Sequence, residues 1–301
     1  MPVVNYTNNH NTALAEFVAS HSSPTSEPHD LCFSTFQGVL GQPGLDPTEN
    51  CLVLENAGQI KGLALLFREF PIGRSVIEVI TSPELAGSAE EAELVQRAVA
   101  QAEIEGLGVA HICVPPGSGR GKALEQAGFS LVRTYLDMVW NEDELPQLEL
   151  PQGYSVRSFQ VGDTPLLTQV QNDAFTGSWG FCPNTEEQIE YRTNMPNTSK
   201  AGILFMFEGD RPAGYCWTVM VPAENGIRGM IGMIGVVPEY RGKGVSRHIL
   251  HAGMKHLRSI GQAEIGLEVD GNNGPAVGLY RSTGFKTVGE RHWFERVLPG
   301  T

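Results

Sequence analysis

The chain has 301 residues, 41% of them hydrophobic and 18% charged, with a formal net charge of −13. That length suits two domains of ordinary size, each able to bury a core. Apolar runs fall short of a membrane span, the first residues lack a signal-peptide core, and the acidic balance argues against nucleic acid or an anionic membrane as partner.

In the first half, apolar periodicity predicts a strand over 76–81, a helix over 89–105, a strand over 109–114 and a helix over 118–127, closed by Gly128-Phe129. The turn around residues 82–92 carries Glu84, Glu90 and Glu91 and no base. Carboxylates suit the dipole of a helix N-terminus but repel a phosphate. Gly117-Ser-Gly-Arg-Gly-Lys122 looks like a phosphate loop, yet Pro116 stands where the first glycine belongs and Ala123 where Ser or Thr belongs. It reads as a flexible loop.

The acidic, proline-bearing stretch 141–153 reads as a linker, giving domains at 1–145 and 151–301. Tyr154 opens a new strand. The segment Asp173 to Pro183 is rich in aromatics and glycine and predicts a loop. Cys32, Cys51, Cys113, Cys182 and Cys216 are odd in number with no Cys-x-x-Cys, which fits reduced thiols in the cytoplasm. His248, His251 and His256 lack a third ligand at metal spacing, so no metal is expected.

The second half repeats the pattern: strand 230–237, helix 245–260, strand 264–270, helix 274–283, then Gly284-Phe285. An offset of 155 places Pro83-Glu84 on Pro238-Glu239, Gly87 on Gly242 and Val114 on Val269. Two copies of one unit explain the length. The copies differ at the turn: Ala86, Ser88 and Ala89 stand where the second copy has Arg241, Lys243 and Gly244. In that second copy a strand feeds a basic glycine turn and then an amphipathic helix. Unpaired helix N–H groups, the macrodipole and two cations converge there, and glycines let a ligand approach the backbone. The turn is built for a phosphorylated ligand, most simply a pyrophosphate.

Arg241-Gly-Lys-Gly244-Val-Ser246 resembles the acyl-CoA loop of the GNAT acetyltransferases, with Ser246 in place of the usual Gly or Ala. Asn273 to Phe285 resembles the helix and closing turn that follow in that family. The tandem arrangement is similar to that of the mycothiol synthases, whose glutamate base has Met230 in its place here. The resemblance implies an α/β fold with an α+β mixed sheet in two tandem GNAT-like acyl-CoA N-acyltransferase domains, the first degenerate. It implies acetyl-CoA contacts at Ile234, Gly235, Val236, Arg241, Gly242, Lys243, Gly244, Val245, Ser246, Arg247 and Asn273.

It further implies Tyr280 beside the CoA sulfur and acceptor contacts from Trp179 and Phe181. The expected reaction moves an acetyl group to an amine by direct attack. A backbone N–H where the strand splays at Gly235-Val236 polarises the thioester, and Tyr280 serves the leaving thiolate. The base is a water held by backbone carbonyls or a carboxylate from elsewhere, with Glu268 and Glu224 nearest in sequence. The expected partner is a small-molecule amine, in a monomer or homodimer. The rival readings are a CoA- or metabolite-binding module without catalysis, an interaction module, and an acetyltransferase for peptide or protein amines.

Overall fold

The computed structural model describes residues 1–22, 26–223 and 226–299. In chain order its elements are β1 (Val3–Asn5), α1 (Asn11–Ser22), α2 (Ser26–Leu40), α3 (Pro47–Asn50), β2 (Cys51–Asn56), β3 (Gln59–Glu69), β4 (Arg74–Thr81), α4 (Ala89–Ile104), β5 (Val109–Val114), α5 (Arg120–Gln126) and β6 (Ser130–Trp140). They continue as β7 (Tyr154–Ser158), α6 (Thr164–Phe175), α7 (Glu186–Thr193), β8 (Thr198–Glu208), β9 (Arg211–Ala223), β10 (Gly226–Val236), α8 (Val245–Ser259), β11 (Ile265–Asp270), α9 (Gly274–Ser282) and β12 (Lys286–Val297). The chain divides into two compact units. Unit 1 holds 1–136, 270–272 and 290–301, and unit 2 holds 137–269 and 273–289.

Unit 1 has the strand order β1–β2–β3–β4–β5–β12. Alternation along β3 sends Ala64 and Leu66 to one face and Leu63 and Leu65 to the other. The first face is covered by α4, whose Leu94, Val95, Ala98, Val99 and Ala102 recur at helical spacing. The second is covered by Leu14 and Val18 of α1 and Phe36 and Leu40 of α2. The edge of β5 is paired antiparallel by the end of the chain, from His292↔Val114 to Val297↔Val109. Phe294 and Leu298, each 3% exposed, join the α4-side core, and His111 Nε2 lies 2.9 Å from a Glu295 carboxylate oxygen. Residues 290–299 therefore belong with the first unit, whereas the sequence reading groups them with the second half.

Unit 2 is ordered β6–β11–β10–β9–β8–β7, with residues 137–140 of β6 included. The helix α8 buries Val245, Ile249, Leu250, Met254 and Leu257. Stretch 141–153 forms neither helix nor strand. It is fastened to α8 by Arg258 Nη2 donating to the Asp143 carbonyl (2.9 Å) and by His251 Nε2 on the Pro146 carbonyl (2.7 Å).

Each unit contains a parallel strand pair. In unit 2, β10 and β11 pair at Gly229↔Ile265, Met230↔Gly266 and Ile231↔Leu267, and no further. In unit 1, β4 and β5 pair from Arg74↔Val109 to Val76↔His111. Val76 and Ile231 are related by the same offset of 155. Beyond these residues the strands diverge. In unit 2 the pairing of β10 with β9 also shifts register between Ile231 and Met233. The splay thus begins earlier than Gly235-Val236, and it leaves the end of β10 without a partner on the β11 side.

Candidate functional site

A cavity of about 650 Å³ opens in unit 2 where β10 and β11 part. Its walls come from the end of α6 and the loop after it, from the end of β10, from the turn into α8, and from α9. Of the residues singled out by sequence, Ile234, Gly235, Val236, Arg241, Gly242, Val245, Ser246, Asn273 and Tyr280 line it. Lys243, Gly244, Arg247, Trp179 and Phe181 are not in that lining.

The turn folds as its glycines require. Gly242 (φ 76°) and Gly244 (φ 81°) take left-handed conformations, and Gly244 caps α8 without a side chain. Val245 and Ser246, which open α8, line the cavity, and the first N–H groups of a helix have no partner within it. The guanidinium of Arg241 bridges two walls: Nη2 donates to the Ala174 carbonyl (2.9 Å) and Nε to the Val236 carbonyl (3.3 Å). Arg241 therefore fixes the mouth of the cavity as well as charging it. The Lys243 ammonium lies 5.1 Å from the centre of the Tyr240 ring. Arg247 donates to the Ser282 hydroxyl (2.9 Å), tying α8 to α9. Asn273 caps α9 by accepting the Ala276 N–H at 3.2 Å.

Tyr280, 6% exposed, reaches the cavity from α9 with its ring 5.9 Å from Phe285. Burial, and secondarily the Cys216 thiol nearby, push its phenol well above the ordinary tyrosine range. It is a neutral donor throughout physiological pH.

Gly235 makes the floor possible. A methyl there would sit 2.7 Å from Ala174 Cβ, 3.0 Å from Tyr215 Cε1 and 3.2 Å from Phe175 Cε2. Sequence reasoning missed Tyr215, whose only signal was an aromatic in an apolar run. It is fully buried, burial raises its phenol well above the usual value, and its hydroxyl meets no hydrogen-bonding partner among the described residues. Phe175 stacks on Phe181 (5.6 Å between centroids), so Phe181 supports a lining residue. Glu268 is exposed and outside the lining, and Glu224 lies outside the described residues. Met230 pairs with Gly266, upstream of the cavity.

Residues 165–285 match the Acetyltransferase (GNAT) family. A mycothiol acetyltransferase of Geodermatophilus obscurus is 31% identical over 179 residues, 56% of this chain and 56% of that protein. One of Thermobispora bispora is 36% identical over 150 residues, 47% of this chain and 49% of that protein. These alignments span about half the length of either relative. Among solved structures, a GCN5-related N-acetyltransferase of Sphaerobacter thermophilus covers the whole chain with a TM-score of 0.72 at 20% identity, over 96% of its own length. A tandem GNAT protein from the clavulanic acid biosynthesis pathway does so with 0.71 at 13%, over 99% of its length. At such identities the likeness establishes the fold, tandem and mixed α/β.

Proposed function

We propose that this tandem GNAT-fold protein, whose residues 165–285 belong to the GNAT acetyltransferase family, moves an acetyl group from acetyl-CoA to the amine of a small molecule. The observation that carries this reading is the single cavity joining the phosphate-type turn at Arg241–Ser246, the unpaired end of β10 and the buried hydroxyl-bearing ring of Tyr280. That the relatives are mycothiol acetyltransferases supports a small-molecule acceptor.

In this reading the pyrophosphate of acetyl-CoA lies on the turn and the first N–H groups of α8. The pantetheine arm runs in the splay, where its amides meet the backbone groups of Met233–Val236 that β11 leaves unpaired. A β10 N–H faces the thioester oxygen and stabilises the negative charge that develops there. The amine nitrogen attacks the carbonyl carbon, the C–N bond forms, and the C–S bond then breaks. The amine's surplus proton leaves to water.

The raised phenol of Tyr280 sharpens its role. A thiol ionises near 8.5, well below this tyrosine, so full proton transfer to the departing sulfur runs uphill. Tyr280 therefore acts as a hydrogen-bond donor to the thiolate, which takes its proton from solvent. Phe175 to Ser178, at the end of α6 and in the loop after it, also line the cavity and in this reading face the acceptor.

Release of CoA thiol, followed with a thiol reagent across a panel of small primary amines, peptides and lysine-bearing proteins, tests the proposal. Release that requires a small amine supports it. Tight acetyl-CoA binding with no release for any acceptor would overturn it in favour of a binding module, and release with peptides alone would move the acceptor class.

A further inference from the structure

Unit 1 repeats the strand, turn and helix of the cavity, but the turn holds a different set of groups. Glu91, in the first turn of α4, is 5% exposed. Its carboxylate accepts the Gly87 N–H (3.0 Å), Nε of Arg120 (3.0 and 3.1 Å to the two oxygens) and the Thr81 hydroxyl. Arg120 Nη2 lies 2.8 Å from the same carboxylate and donates to Thr81 Oγ1 at 2.7 Å. Ser88 completes the turn by accepting the Glu91 N–H at 3.2 Å.

The register is informative. Adding 155 to Thr81, Gly87, Glu91 and Arg120 gives Val236, Gly242, Ser246 and Pro275. All four of these line the cavity of unit 2. The network also sits just past the last parallel pair, Val76↔His111, as the cavity sits past Ile231↔Leu267. A backbone N–H in the turn before a helix, a fork-shaped guanidinium and a hydroxyl make up an oxyanion receptor. In unit 1 the oxyanion is already present and covalently part of the chain.

We infer that Glu91 is a tethered anionic ligand: it fills unit 1's counterpart of the acyl-CoA phosphate site, held by Arg120, Gly87 and Thr81, and keeps phosphorylated ligands out. This rests on the reading that the turn at Arg241–Ser246 takes a pyrophosphate. A tethered group competes at high effective concentration. An incoming phosphate would also strand Glu91 as a buried charge without its partner, which is strongly unfavourable. The Gly-rich stretch 117–122 thus supplies, through Arg120, the cation for an internal carboxylate.

The test compares the full-length protein with Glu91→Ser, which installs the residue found at position 246, and with Glu91→Gln, which keeps the shape and removes the charge. Each is melted with and without inorganic pyrophosphate, and with sulfate as a second anion. Any binding at the Arg241 turn raises all three melting temperatures alike, so the difference reports unit 1. Both variants are expected to melt below the parent and to regain at least about 2 °C more than the parent does on adding pyrophosphate. Glu91→Gln preserves the test should Glu91→Ser not fold. Equal shifts in parent and variants would overturn the inference. A parent that binds no acetyl-CoA, with anion-rescued variants, would instead count against the function proposed for unit 2.

Discussion

Replacing Tyr280 with phenylalanine removes one oxygen and keeps the ring. The ring is buried and packs edge-on against Phe285 at 5.9 Å between centroids, contacts that phenylalanine retains. The midpoint of thermal unfolding should move by no more than about 2–4 °C, the shift for roughly 1 kcal/mol in a chain of this order of size. Turnover is a different matter. The hydroxyl is a neutral donor in a buried side chain of the cavity wall, and in the proposed reaction the sulfur it faces carries developing negative charge. A hydrogen bond to a charged group is worth about 1.5–3 kcal/mol, or roughly tenfold to 150-fold in rate. The expected result is therefore a kcat lower by about one to two powers of ten, with acetyl-CoA affinity unchanged, read by CoA thiol release under saturating acetyl-CoA. Tyr280 stays neutral far past pH 9, so the loss should be the same at pH 7 and pH 9. Turnover equal to the parent's would refute the reasoning, and so would a loss that disappears between those two pH values.

Gly235→Ala places a methyl 2.7 Å from Ala174 Cβ and 3.0 Å from Tyr215 Cε1, in a buried floor with little room to yield. It should cost about 1–3 kcal/mol in denaturant unfolding and weaken acetyl-CoA binding measurably. Cys216 is buried and its thiol is pushed up to about 12 from 9.0. The folded state thus holds the proton that the unfolded chain releases, and this contribution is complete below pH 9 and is lost as pH rises toward 12. Urea unfolding of Cys216→Ala should accordingly show a shallower decline with pH across 9–12 than the parent, by up to about 1.4 kcal/mol per pH unit. Residues 151–301 expressed alone keep the chain end that carries Phe294 and Leu298 but lack the unit 1 core those side chains join. That fragment should be poorly soluble, and a soluble fragment of full activity would show that the first unit is dispensable.

The strand–turn–helix of unit 2 was legible because its signals are local. Glycines that take positive φ, two cations and a helical apolar stripe all fall within residues 230–257, and the turn, α8 and the cavity follow from them. The same locality explains what was not legible. Arg241 reads as a ligand for phosphate, but its guanidinium also ties the carbonyls of Val236 and Ala174, and Ala174 is 67 residues away along the chain. Glu91 and Arg120 read separately as a capping acid and a loop base, and only the fold brings their side chains together. The end of the chain illustrates the same limit. Nothing in the alternation of β12 chooses β5 as the edge it pairs with. Trp179 and Phe181 read as acceptor contacts, but neither lines the cavity, and Phe181 reaches it only through its stacking on Phe175.

The central claim is that acetyl-CoA is held in the unit 2 cavity by the turn at Arg241 and at no second place. Calorimetric titration of acetyl-CoA into the full chain tests it most directly. One site per chain is expected, with affinity reduced at least about tenfold in Arg241→Glu, where a carboxylate replaces the charge proposed to face the pyrophosphate and the clasp on Val236 and Ala174 is broken. Two sites of equal affinity, or one site indifferent to Arg241→Glu, would contradict it.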